Sequence, residues 1–116
     1  MVKQGTIIKL DFDPQSGHEQ AGYRPAVVIS NDLFNAKTSM TIVCPITNTN
    51  RDFPLHIPLD DRTETTGVVM CEHVKSLDIN TRKYKVIETI PDDLLDMIIS
   101  TVFSEMDKLQ SSKTTQ

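Results

Sequence analysis

The sequence has no tryptophan, only 5% aromatic residues, two cysteines and nowhere more than a few apolar residues in succession. Each shortage excludes something. Without an apolar stretch of roughly 20 residues, no segment spans a bilayer as a helix. Residues 1–5 run straight into strand-like sequence with no apolar export region, so the cytoplasm is the expected compartment. Cys44 and Cys71 lie in separate apolar runs and read as buried thiols rather than a disulfide framework. A zinc site needs three or four convergent ligands, and the spacing of the cysteines with His18, His56 and His73 supplies no such set, so no metal or cofactor is expected. There is no glycine-rich phosphate loop before a helix and no Gly-x-Ser-x-Gly elbow, which sets aside nucleotide triphosphatases and hydrolases of that class. Positive charge is short as well, with 12 Lys and Arg against 16 Asp and Glu and a net charge of −4. That balance argues against an indiscriminate nucleic-acid binder, although a local concentration of Lys and Arg, or a groove shared by two chains, escapes the argument.

What remains is the composition of one ordinary globular domain, expected over residues 1–109, with a polar tail at 110–116. Residues 6–12 are β-branched and aromatic with polar interruptions, a first strand. Pro14, Ser16, Gly17 and Gly22 break residues 13–22 into a loop. Residues 24–30 are apolar enough for a strand buried on both faces. Asp32 is placed to cap a short helical turn through Asn35. Residues 40–46 form a third strand. In 53–59 the apolar residues alternate with Pro54, His56 and Pro58, and prolines of one parity point to an edge strand. Further strands are expected at 66–71, 74–77 and 84–88. Pro91 then suits a first helical position, Asp92 and Asp93 its first turn, and Leu94, Leu95, Ile98, Val102, Met106 and Leu109 recur at helical spacing. The architecture is mainly β: a small, strongly bent barrel or sheet with a C-terminal helix packed on it.

The segment around Arg24 carries the most chemistry. Arg24 precedes a proline, which biases it to extended backbone at the start of a strand, beside a glycine-flanked polar loop. Its planar, permanently charged fork suits a phosphate, or equally an ion pair with Glu19. Thr47 follows Cys44-Pro45-Ile46 at a strand end, and antiparallel pairing of the second and third strands brings it near Arg24. Its hydroxyl is either a phosphate donor or a turn residue. His18 lies in the loop, where it is free to approach a substrate, and His73 ends a strand.

Several stretches, in this order and spacing, resemble the MazF/PemK toxin family. They are Asp11-Phe12-Asp13-Pro14, then Gly17-His18-Glu19-Gln20-Ala21-Gly22-Tyr23-Arg24-Pro25 with the apolar run that follows, Phe34-Asn35, Pro45-Ile46-Thr47, Gly67-Val68-Val69 and Val74-Lys75-Ser76-Leu77-Asp78. The resemblance runs from Gly5 to about Leu109. It implies an SH3-like barrel of the MazF/CcdB toxin type, paired as a homodimer. It also implies metal-independent cleavage of single-stranded RNA at a short sequence, and an antitoxin, MazE-like, that covers the same groove. It carries the catalytic pair onto Arg24 and Thr47, with Glu19 as the loop glutamate. His18, Gln20, Tyr23, Asn35, His73 and Lys75 fall at positions expected to contact substrate. Several relatives have glutamine where this chain has His73, so the cleavage sequence does not carry over. Tyr23, Phe12 and Phe53 are candidate stacking platforms, and Lys37, Arg51, Arg62, Lys75 and Arg82 candidate phosphate contacts. Two other classes stay open: a toxin of the CcdB type, which shares the barrel but binds DNA gyrase, and an inactive binding module.

Overall fold

The computed structural model describes residues 1–13, 17, 22–49 and 52–109. Seven strands and two helices follow one another as β1 (Thr6–Asp11), β2 (Tyr23–Val28), α1 (Asp32–Lys37), β3 (Thr41–Thr47), β4 (His56–Pro58), β5 (Val68–Met70), β6 (Lys75–Leu77), β7 (Tyr84–Thr89) and α2 (Asp92–Met106). Neighbours in the sheet run β4-β5-β3-β2-β1-β7, with β6 also on β3, and every pairing is antiparallel. No ladder joins β4 to β7 among the described residues. The fold is therefore mainly β with a C-terminal helix, as expected, but the sheet is open where a barrel would close.

Strand β3 is the fork of the sheet. One edge pairs with β2 through Val43, Cys44 and Pro45. The other pairs with β6 along Thr41–Val43 and with β5 at Ile46 and Thr47. The chain alternates its apolar side chains across this fork. Ile7, Val27, Cys44 and Ile46 face one way, onto Leu94, Ile98 and Val102 of α2. Ile8, Leu10, Ala26, Val28 and Val43 face the other way, onto Val2, Phe12, Leu77 and Ile79. Burial of β2 on both faces follows directly from its unbroken apolar run. Ile98 is wholly buried, and a side chain of that size contributes about 1.5–3 kcal/mol on burial.

Local chemistry fixes the element ends. Asn31, not Asp32, caps α1: its side-chain oxygen accepts from the Phe34 N–H at 2.8 Å. Asp32 turns instead to the Gln4 N–H at 2.8 Å and ties down the N-terminal segment. Pro91 is the N-cap of α2 in extended conformation rather than its first helical residue. The helix ends at Met106, so Leu109 lies beyond it. Met106 is 71% and Leu109 87% exposed, so these last two residues of the expected apolar stripe are not core. Strand β4 is shorter than its alternation suggests because Pro54 sits in a turn and Pro58 ends the ladder; it lies at the sheet edge. The expected tail, 110–116, falls outside the described residues.

Candidate active site

The β2–β3 register sets the geometry of the site. Ala26 faces Pro45 at the last ladder step. The same register carried two residues further would set Arg24 opposite Thr47, and strand alternation gives the two the parity of Ala26 and Pro45. Arg24 also faces Leu10 of β1, whose side chain is buried below it. Arg24 itself is exposed. Its Nε would lie 3.9 Å from a Cβ added at Gly22, so the guanidinium reaches back over the glycine that ends the loop. The start of β2 thus presents the charged fork beside Gly22.

Thr47 is held from three directions. Its hydroxyl oxygen accepts from the Thr49 N–H at 3.1 Å, which leaves its own proton to donate outward. The next residue, Asn48, accepts from the Thr66 hydroxyl at 3.0 Å. Gly67, at φ +116°, passes so close that a Cβ there would stand 2.3 Å from the Thr47 carbonyl oxygen. The sequence offered no sign that Gly67 and Thr66 lie at Thr47, since only the β3–β5 pairing brings them there.

Lys75 faces Val43 across β3 and shares the face of Thr47 and Arg24. Tyr23 lies on the opposite face, beside Asp11. His73 ends a short 3₁₀ turn, Cys71–His73, with its Nε2 3.9 Å from Glu72; Glu72 is held at 2.8 Å by His56, whose side chain is only 9% exposed. Asn35 is turned inward instead of toward a substrate. Its amide oxygen takes the Ser30 hydroxyl, and its NH₂ reaches the Ser30 and Val2 carbonyls at 3.1 and 3.3 Å. His18, Glu19 and Gln20 lie outside the described residues, as does Arg51.

Two of the expected phosphate contacts are engaged in the fold. Arg62 makes bidentate pairs with Asp60 and Asp93 at 2.8–3.2 Å. Arg82 donates to the carbonyls of Asp11 and Asp13 at 3.1 and 2.9 Å. Phe12 is core and Phe53 is 46% exposed, set edge-on to His56. The cysteines are core thiols: a hydrogen bond with Cys71 and burial push the Cys44 thiol far above its ordinary range, so it stays protonated and is no nucleophile. Among the described residues no group of three or more His, Cys, Asp and Glu is placed to hold a metal ion, and no helix is long and apolar enough to cross a membrane.

Residues 3–103 match the model of the PemK-like, MazF-like toxin of type II toxin–antitoxin systems. The chain is 42% identical over 73 residues to the endoribonuclease toxin MazF of Escherichia coli strain K12; the match covers 63% of this chain and 65% of that protein, a little under two thirds of its length. A crystal structure of MazF from Deinococcus radiodurans superposes with TM-score 0.85 at 32% identity, covering 90% of this chain and 96% of that one. MazE–MazF from the same organism matches with TM-score 0.78 at 26% identity, covering 93% and 97%.

Proposed function

The chain belongs to the PemK-like, MazF-like toxin family of type II toxin–antitoxin systems, and from that premise we propose that it is a sequence-specific endoribonuclease that cleaves single-stranded RNA without a metal. The β2–β3 register, which leads from Ala26 and Pro45 toward Arg24 and Thr47, supports this reading. The ribose 2′-oxygen attacks the adjacent phosphorus while its proton passes to a base. The bond to the 5′-oxygen of the next nucleotide breaks, and that oxygen takes a proton from an acid. The products are a 2′,3′-cyclic phosphate and a 5′-hydroxyl. Because the nucleophile belongs to the substrate, the protein's task is to stabilise the charge that gathers on the phosphorane and to move two protons.

Arg24 supplies the positive fork, and the Thr47 hydroxyl, its oxygen already taken by Thr49, donates the second hydrogen bond. A guanidinium, permanently charged at neutral pH, is a poor base, which leaves proton transfer to Glu19 or His18 of the loop. Gln20, His73 and Lys75 are assigned to substrate contact, His73 offering one donor and one acceptor when neutral. The partners are single-stranded RNA, an antitoxin of the MazE kind and a second copy of this chain. Phe103 and Met106, exposed around an apolar hollow of about 310 Å³ between α2 and the ends of β2 and β3, support the pairing of two copies. The cytoplasm is the assigned compartment.

Incubation of the purified protein with a long single-stranded RNA in EDTA tests the reading. Discrete cuts with 5′-hydroxyl ends are expected, and Arg24→Ala slows them at least about 100-fold, the usual cost of losing one group that holds transition-state charge. No cleavage by the folded, antitoxin-free protein across diverse RNAs overturns it and returns the gyrase-binding reading.

A further inference from the structure

On the face of the sheet opposite Arg24, α2 covers only one end. Ile7 and Val27 lie under the helix, and the same face continues outward through Lys9 and Asp11 of β1, Tyr23 of β2 and Lys85 of β7. The register sets Asp11 beside Tyr23 and Lys9 beside Lys85. The Asp11 N–H donates to the Lys83 carbonyl at 3.0 Å, which brings Lys83 into the same row. The Lys9 and Lys83 ammoniums stand 5.2 and 4.5 Å from the centre of the Tyr23 ring.

Three ammoniums thus share this patch with the carboxylate of Asp11. None of Lys9, Lys83 and Lys85 has an ion-pair partner within 4.0 Å among the described residues. In a chain of net charge −4, positive charge gathered without neutralisation is held against its own repulsion. The negative face of the ring offsets part of that cost, by about 0.5–1 kcal/mol for each cation at an exposed site. The ring therefore gathers the cations instead of offering a bare stacking surface, and an anion is the ligand the arrangement lacks.

We propose that Lys9 and Lys83, gathered on Tyr23, form a subsite for a backbone phosphate of single-stranded RNA, one that flanks the phosphate held at Arg24. The proposal rests on the nuclease reading above. Tyr23 and Arg24 are consecutive residues at the start of β2, so the two faces meet at the end of the strand. An RNA seated at Arg24 and Thr47 that turns round this end meets the two ammoniums next. Lys85 extends the positive row for the strand beyond. The contact reads no base, because phosphates position a strand and base edges specify it. It therefore contributes affinity that is uniform over sequence.

Salt dependence of binding is the test, using Arg24→Ala protein and the same long RNA so that nothing is cut. Each phosphate contact to a single strand contributes about 0.7 to the slope of log affinity against log salt. Lys9→Gln with Lys83→Gln removes one such contact and is expected to reduce that slope by about 0.7, which is about a 5-fold loss of affinity at 0.1 M salt that vanishes near 1 M. Lys9→Arg with Lys83→Arg keeps the slope, and Lys3→Gln, on a lysine elsewhere, leaves it unchanged. With Arg24 intact, the double glutamine variant raises KM, holds kcat and cuts at the same sites. An unchanged slope and KM in a protein whose wild type cuts RNA overturns the subsite and leaves the nuclease standing. Loss of antitoxin affinity with an unchanged RNA slope overturns it in favour of the antitoxin. A wild type that cuts no RNA overturns both readings.

Discussion

Gly67 shows how far a single atom governs the site. Its φ of +116° is strained for any other residue, and the nearest neighbour of an added Cβ is the Thr47 carbonyl at 2.3 Å. Gly67→Ala is expected to cost at least about 1–3 kcal/mol in urea unfolding, from backbone strain alone. It should also slow cleavage under conditions where the variant is still fully folded, because the only relief is to move Thr47. A variant that loses stability but keeps its rate would separate Gly67 from the chemistry. The sequence singled out Arg24 and Thr47 as candidates because both stand at strand ends beside loop-forming residues, and the antiparallel pairing of β2 and β3 runs toward both. It did not show Gly67, or Lys9 and Lys83 around Tyr23, because contacts between residues so distant in the chain depend on the whole sheet. It misplaced Asn35 for a related reason: a polar side chain in a short helix gives no sign of whether it faces solvent or the carbonyls of Ser30 and Val2.

At the scale of the element, α2 is anchored to the strand connections by charge as well as by its apolar stripe. The Arg62 side chain, hydrogen-bonded to Asp60 and to Asp93 in the first turn of α2, holds both carboxyls below their ordinary range. A lowered folded-state pKa adds stability above the ordinary carboxylate value, and that stability is lost as pH falls through the folded value. Thermal midpoints of the wild type and Arg62→Gln are therefore expected to differ at neutral pH and to converge below about pH 4. The difference is small, since all three groups are solvated and the pair is screened; a constant gap down to the lowest pH would rule out the ion pairs as its source. Glu88 of β7 acts similarly on the same connection. Burial opposes its charge, but hydrogen bonds from Thr65 and the Glu64 N–H outweigh it and keep its pKa low. The helix itself was legible from spacing and from Asp92 and Asp93. Its capping residue was not, because Pro91 is compatible with either of two adjacent positions.

For the whole molecule, the apolar periodicity of α2 overran its core contacts. The same spacing that buries Leu94, Ile98 and Val102 leaves Phe103 at 63% and Met106 at 71% exposure. Sequence pattern cannot separate a face that meets its own core from one that meets another chain. Phe103→Asp is expected to halve the mass seen by light scattering, by placing a charge in a self-complementary contact. The stability of the single chain should move by no more than about 0.5 kcal/mol, as for other exposed positions. A variant that keeps the wild-type mass removes this surface from the pairing. The expected fold is present with its barrel open: short alternating strands predict a bent sheet, but whether the edge strands β4 and β7 meet is decided by lengths and bulges that pattern does not encode. Strand β7 carries such an irregularity opposite Ile7 and Ile8.

That same strand bears on biosynthesis. The residues assigned to cleavage lie on β2 and β3, yet β1, against which β2 is laid, takes its other partner from Tyr84–Thr89, with Thr6 facing Thr89. Pairings so distant along the chain form late. At about 5–20 residues per second of synthesis, a ribosome translating this message spends several seconds with Arg24 and Thr47 already emerging but β1 still unpartnered on one edge. The nascent chain thus carries the residues assigned to cleavage for some time before it has the complete sheet that sets their strands in register.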